Sequence, residues 1–101
     1  MKIECIPWAG GDSPGESALR QKLEGEGFEV VVWRDRSNWA YEPHRHEHDE
    51  SLWVVRGSLL LQIEGQDYAL GPGDRLMLPR AILHTARVGP EGATYLIGQK
   101  R

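Results

Sequence analysis

From position 28 onward the sequence is a series of short runs rich in β-branched and aromatic residues, and this pattern limits the fold more than any other feature. Turn-forming segments such as Arg56-Gly57, Gly71-Pro72-Gly73-Asp74 and Gly89-Pro90-Glu91-Gly92 interrupt the runs. With a further strand around 39–46, the runs predict about eight strands. Because no helical pattern separates them, we expect an all-β sandwich, jelly roll or barrel.

The alternation of residue types within one run assigns the two faces of its strand. Leu59, Leu61 and Ile63 share one side, and the residues between them share the other, because successive side chains of a strand point in opposite directions. The more apolar side is expected to face the core. The pattern therefore predicts which three side chains of this run are buried.

Large side chains on the predicted strands are candidates for the lining of a pocket. Tyr41, Trp53 and Met77 are of the kind that lines many small-molecule sites. Such side chains more commonly fill a core or a dimer interface. Both interpretations stay open for these three residues on sequence grounds.

A short helix is predicted before the first long strand. Ser13 is a suitable N-cap, Pro14 suits the first helical position, and Glu16 can complete a capping box. Gly25 supplies a stop signal. We expect the helix at about 14–24, where it would cover one face or rim of the β-structure.

Composition narrows the classes of partner. The 101 residues suit one domain, with an N-terminal segment over 1–27 and the β-barrel over 28–101. The formal charge is −3 and no cluster of Lys and Arg stands out, so a nucleic-acid partner is not expected. No apolar run approaches the roughly 20 residues of a membrane span. Cys5 is the single cysteine and allows no intrachain disulfide, which fits the cytoplasm.

Histidines mark the candidate site. Three of the four lie within 41–50, and the fourth, His84, comes much later in the chain. In an extended strand, His44 and His46 project to the same face. A turn after them would return Glu50 on an adjacent antiparallel strand, where opposite side chains come within about 5 Å. We therefore expect a hairpin to present these groups together.

A second ligand set and a simpler explanation compete with this one. His48 is the rival ligand, because His46, His48 and Glu50 also alternate on one face if the strand continues without a turn. The segment could also be a solvated acidic loop with isolated histidines. Glu47, Asp49 and Tyr41 are at most weak candidates for a general base, so the catalytic residues are unknown.

The spacing of these residues resembles the first motif of the cupin superfamily. That motif has the form H-x-H-x(3,4)-E-x(6)-G, and His44, His46, Glu50 and Gly57 match it in every interval. Together with a second motif, the resemblance covers about residues 30–98.

The second motif is matched less completely. Its form is G-x(5)-P-x-G-x(2)-H-x(3)-N, and Gly73, Pro79 and His84 stand at the required intervals. Ala81 replaces the usual glycine and Val88 the usual asparagine. Neither substituted position is a metal ligand in the family, so the resemblance still implies a ligand role for His84.

The resemblance implies a small cupin or jelly-roll β-barrel, frequently dimeric, that holds one divalent metal ion through His44, His46, Glu50 and His84. Imidazole and carboxylate suit Fe, Mn, Ni, Cu or Zn, and the sequence does not distinguish these metals. Four protein ligands on an octahedral ion would leave two positions for water or substrate. We expect a homodimeric small-molecule protein of this kind.

Two functions fit such a barrel. The first is a metal-dependent enzyme of the oxygenase, isomerase or decarboxylase type. The second is a non-catalytic cupin, with or without metal, that binds a ligand for sensing or storage.

Overall fold

The computed structural model describes residues 3–12 and 14–100. In chain order its elements are β1 Glu4–Ile6, α1 Glu16–Gly25, β2 Glu29–Asp35, β3 Ala40–His44, β4 Asp49–Ile63, β5 Gln66–Leu70, β6 Arg75–Leu78 and β7 His84–Lys100. All strand pairs are antiparallel. The predicted all-β barrel with one short helix is therefore confirmed. Within these described ranges, no helix is long and apolar enough to cross a membrane.

The two longest strands form the centre of the sheet. β4 and β7 run antiparallel along almost their whole lengths, with Asp49 opposite Lys100 at one end and Ile63 opposite His84 at the other. β6 and β5 flank the first and second halves of β4, while β2 and β3 flank the corresponding parts of β7. The sheet thus has two halves that share one continuous β4–β7 ribbon.

The ribbon bends at two glycines. Its register shifts on both sides of Gly57, which has a φ of 79°, and Gly92 across from it has the same φ. A Cβ on Gly57 would lie 1.9 Å from the carbonyl oxygen of Gly92, so only glycine fits this close approach. The expected breaks at 56–57 and 89–92 are therefore irregularities within continuous strands. This merging, together with the unanticipated β1, gives seven strands where about eight were predicted.

The bend folds the two halves over each other around one core. Leu59, Leu61 and Ile63 are all buried, as their alternation predicted. They pack with buried residues from the other half of the ribbon. Val88, at the position of the family's asparagine, is completely buried in the same core. The core residues are Leu52, Val54, Leu59, Leu61, Ile63, Leu70, Leu76, Leu78, Val88, Ala93 and Tyr95.

The helix covers the outer face of one half and builds a second core there. It begins at Glu16, two residues later than predicted, and Gly15 is its N-cap without a side-chain capping bond. The expected N-cap, Ser13, lies outside the described residues. Trp53 and Met77 belong to this second core, because the strand alternation turns them toward the helix. Of the two interpretations that the sequence left open for these residues, packing in a core is the one that the structure shows.

A buried arginine connects the helix end to the sheet. Arg75 is 8% exposed, and its Nε donates to the Ser51 hydroxyl at 2.7 Å. Its two terminal nitrogens donate to the carboxylate of Glu26, and its guanidinium lies 4.4 Å from the Trp53 ring. The hydrogen bond from Arg75 lowers the pKa of Glu26.

Candidate metal centre

Three imidazoles converge at the end of the barrel. His44 is the last residue of β3 and lies opposite His84, the first residue of β7, with ring centroids 4.3 Å apart. His46, in the segment after β3, has its ring centroid 4.8 Å from that of His44 and 5.2 Å from that of His84. One nitrogen from each ring falls within 4.8 Å of the others. Ligands about 2.1 Å from a shared ion are separated by roughly 3–4 Å, so small adjustments suffice for a metal to fit.

Backbone carbonyls orient two of these rings. Nδ1 of His44 lies 2.7 Å from the carbonyl oxygen of Glu42, and Nδ1 of His84 lies 3.0 Å from that of Ile82. A carbonyl only accepts hydrogen bonds, so each Nδ1 must be the protonated nitrogen, and each Nε2 keeps a free lone pair. Metal-binding histidines characteristically have this arrangement. Burial lowers the pKa of His84, with smaller effects from the neighbouring histidines, and so favours the neutral ring that a metal requires.

Glu50 supplies a buried carboxylate beside the histidines. The residue is 4% exposed, and its Oε1 lies 3.6 Å from Nε2 of His46. Its Oε2 accepts a hydrogen bond of 2.9 Å from the side-chain amide of Gln99. Within residues 3–12 and 14–100, no Lys or Arg forms an ion pair with it. A buried carboxylate without a Lys or Arg partner is chemically suited to a metal ion.

The elements that bring these groups together differ from the expected hairpin. β3 pairs with β7, so His44 faces His84 across strands, and Glu50 on β4 lies opposite Gln99 of β7. The predicted adjacency of β3 and β4 was therefore wrong. The side chains meet because the sheet curls so that both ends of β7 contribute to one cavity.

A hydrogen bond from the turn at Ala81 holds the segment that carries His46. The backbone N–H of Ala81 donates to the carbonyl of His46 at 2.8 Å. Ala81, at the position of the family's glycine, has a φ of 64°, a conformation that costs an L-residue about 1–2 kcal/mol. Ala81 therefore adopts, at some cost in strain, a backbone conformation that glycine adopts freely.

The remaining charged residues of the segment lie outside the converging group. His48 is half-buried, whereas Arg45 and Glu47 are exposed. Asp49 accepts a hydrogen bond of 2.9 Å from the backbone N–H of Arg80, and this bond lowers its pKa. The contact of Asp49 with Arg80 connects the start of β4 to the residues that follow β6.

A cavity of about 280 Å³ opens beside the histidines. Tyr41 belongs to its lining, as one of the two sequence interpretations expected, together with apolar side chains of the core. Sequence reasoning missed Tyr95 and Gln99, which carry no motif and face the cavity only through the strand register. The lining consists of Trp33, Tyr41, His44, His46, Glu50, Leu52, Leu59, Leu61, His84, Ala86, Tyr95, Ile97 and Gln99.

A hydrogen-bond network around Asp35 forms one wall of the cavity. The hydroxyls of Tyr41 and Tyr95 donate to its two carboxylate oxygens, each at 2.7 Å. The indole N–H of Trp33 donates to Asp35 at 3.0 Å and to the Tyr41 hydroxyl at 2.9 Å. Burial and the hydrogen bond with Asp35 raise the pKa of Tyr95, which keeps its hydroxyl protonated. No sequence signal connects Asp35 with the two tyrosines.

Together, the curled antiparallel sheet and the three converging histidines define a small barrel of a class that can hold a metal ion. The sequence profile described as "Cupin domain" matches residues 31–97, about two thirds of the chain. The chain belongs to the cupin family, as its two motifs indicated.

Individual relatives are distant. The dimethylsulfoniopropionate lyase DddW of Ruegeria pomeroyi is 27% identical, over 97% of this chain and 69% of that protein. A cupin-2 domain protein of Shewanella frigidimarina superposes with a TM-score of 0.63 at 20% identity, covering 73% of this chain and 71% of the other. KdgF of Halomonas sp. gives a TM-score of 0.63 at 23% identity, covering 98% and 81%. The two structures support the fold alone.

Proposed function

We propose that this cupin binds one divalent transition metal ion through His44, His46, Glu50 and His84, and that it acts on a small molecule held beside the ion. The hydrogen bonds of the His44 and His84 rings to backbone carbonyls carry this proposal, because they leave the Nε2 atoms of both rings available as ligands. Iron, manganese, nickel, copper and zinc all suit the ligand set.

The protein's own groups would orient the substrate and limit access of water. A bound metal ion would supply Lewis acidity or redox chemistry to a substrate oxygen. Apolar core residues, among them Leu52 and Leu61, line the cavity beside the histidines. The resulting low polarity strengthens the electrostatic interactions of any bound ligand. Oxygenation, isomerisation and decarboxylation are the candidate reactions for such a site. The similarity to a lyase makes elimination a fourth candidate.

Metal content tests the proposal directly. Protein purified without an affinity tag would be analysed for metals, and its thermal unfolding would be followed with each candidate ion added. We expect about one ion per chain and a rise in the melting temperature. The absence of bound metal, together with no metal-dependent shift, would overturn the proposal.

Turnover separates the enzyme from a binding protein. Metal-loaded protein would be assayed for oxygen uptake with small phenols, thiols and diketones, and for dimethyl sulfide release from dimethylsulfoniopropionate. Metal-dependent turnover of any of these supports an enzyme, and the His84→Ala variant provides the matched control. Saturable ligand binding without turnover would favour the second function, a sensor or storage cupin.

We also propose that the protein works in the cytoplasm as a homodimer. The single cysteine fits a reducing compartment. Support for a dimer comes from the position of β2 at the end of the strand order and from the exposed side chain of Val31 on that strand.

A further inference from the structure

The wall around Asp35 has an unusual balance of donors and acceptors. Its three donor groups, the indole of Trp33 and the hydroxyls of Tyr41 and Tyr95, are all directed at the Asp35 carboxylate or within the network itself. A tyrosine hydroxyl has one hydrogen to donate and two lone pairs with which to accept. With their hydrogens occupied, the two hydroxyls can offer a ligand only acceptor lone pairs.

The negative charge of this wall is also without a cationic partner. Among residues 3–12 and 14–100, no Lys or Arg forms an ion pair with Asp35. The cavity lining itself contains neither Lys nor Arg. Neutral hydrogen-bond donors stabilise a carboxylate but do not cancel its negative charge. The electrostatic potential of the wall therefore attracts a positively charged group.

The aromatic faces strengthen this preference. Trp33 is 43% exposed although its polar N–H is already bonded, so its ring is accessible to a ligand. Tyr41 connects the wall to the metal centre, since its ring centroid lies 6.1 Å from that of His44. Indole and phenol rings attract organic cations through their π faces, and Trp does so most strongly.

We propose that this wall, formed by Trp33, Tyr41 and Tyr95 in front of Asp35, binds the cationic end of a small zwitterionic ligand whose oxygen-bearing end lies at the histidine site. The inference rests on the proposed metal centre, because a divalent ion with one carboxylate ligand is itself positive and would take the anionic end. The two ends of the cavity thus carry opposite charge. A volume of about 280 Å³ lies at the lower limit for drug-sized ligands and suits a molecule of this size.

A pair of isosteric probes tests the inference. Glycine betaine and 3,3-dimethylbutanoate have the same shape and carboxylate, but the second has carbon in place of the quaternary nitrogen. In calorimetric titrations of the metal-loaded protein, we expect betaine to bind at least about tenfold more tightly. β-Alanine carries a primary ammonium that donates hydrogen bonds, whereas dimethylsulfoniopropionate carries an alkylated sulfonium that does not. Comparing their affinities shows which of these two kinds of cation the wall binds.

Two variants assign the preference to the wall. Asp35→Asn is expected to reduce the ratio of the two affinities to about twofold or less while metal content stays unchanged. Trp33→Leu, at a position where the side chain is 43% exposed, should reduce the ratio several-fold and tests the wall even if Asp35→Asn does not fold. Asp67→Asn, on the exposed face of β5, is the matched control and should keep the full ratio.

The outcomes separate this inference from the proposed function. Equal affinities for the two isosteres in metal-loaded protein would overturn the inference and leave the metal centre intact. Tetramethylammonium, which lacks an oxygen end, tests the wall without the metal. Its binding to His84→Ala together with its loss in Asp35→Asn would support the wall, whereas binding to neither His84→Ala nor the unaltered protein would overturn it.

Discussion

His44 and His84 face each other across β3 and β7, with ring centroids 4.3 Å apart. Each ring is oriented by a backbone carbonyl two residues earlier in the chain. Both rings are thus held by strand register, which leaves little freedom for rearrangement. A site built in this way is largely preformed and should bind metal without a large conformational change.

Single histidine substitutions should separate the competing ligand sets. We expect His44→Ala and His84→Ala to lose bound metal, because each removes one of the converging nitrogens. His48→Ala should retain it, since His48 lies outside that group. Elemental analysis of the purified variants measures the outcome. Retention in His44→Ala with loss in His48→Ala would reverse the ligand assignment.

The hydrogen bond from Gln99 to Glu50 should tune metal affinity. Gln99→Leu removes the donor that orients the buried carboxylate. Loss of such an outer partner typically weakens metal binding by about 10–100-fold. Competition with a chelating dye gives the dissociation constant. Gln62→Leu, at an exposed position, is the matched control, and an equal effect in both variants would show that the hydrogen bond has no specific role.

The bend at Gly57 should be intolerant of any side chain. Gly57→Ala would place a Cβ 1.9 Å from the Gly92 oxygen, and steric overlap together with backbone strain should lower the free energy of unfolding by about 2–5 kcal/mol. Gly65→Ala is the matched control, because Gly65 has a φ of 80° with open space around it. Backbone strain alone should cost it about 1–2 kcal/mol. Urea denaturation compares the two, and equal losses would exclude the steric contribution.

Acid should weaken the contact between Glu26 and Arg75. The hydrogen bond from Arg75 lowers the pKa of Glu26 below its ordinary value of 4.5, so the folded protein binds this proton less readily than the unfolded chain. The stabilisation is therefore present above about pH 4.5 and is lost as the pH falls through the lowered pKa.

Glu26→Gln should accordingly reduce stability near neutral pH, by no more than about 1 kcal/mol because the carboxylate is partly exposed. The difference from the unaltered protein should shrink toward pH 3 in urea denaturation. Glu24→Gln, whose carboxylate meets Arg20 at 4.0 Å on the surface, is the control and should change stability less. A difference for Glu26→Gln that does not vary with pH would contradict the assignment.

The proposed dimer predicts a doubled mass in solution. Light scattering at micromolar concentration should give twice the 11.4 kDa of one chain. Val31→Lys, which places a charge on the exposed terminal strand, should shift the mass toward the monomer. A monomeric mass for the unaltered protein would refute the proposal.

Local patterns predicted the strands more accurately than their connections. The alternation through Leu59 and Ile63 predicted the buried face correctly, because successive side chains of a strand point to opposite faces of the sheet. The pairing of β3 with β7 was not predicted, because it joins segments far apart in sequence. Trp53 was a pocket candidate by residue type, but its strand turns it toward the helix.

The sequence by itself determined the all-β class, the cupin motifs and the four candidate ligands, because these depend on residue type and short intervals. Only the tertiary structure decided how those ligands meet and what else surrounds them. Asp35 and Tyr95 are 60 positions apart, and their hydrogen bond exists because β2 pairs with the second half of β7. Contacts of this kind follow from the curl and register of the sheet, which long-range packing sets and no local pattern encodes.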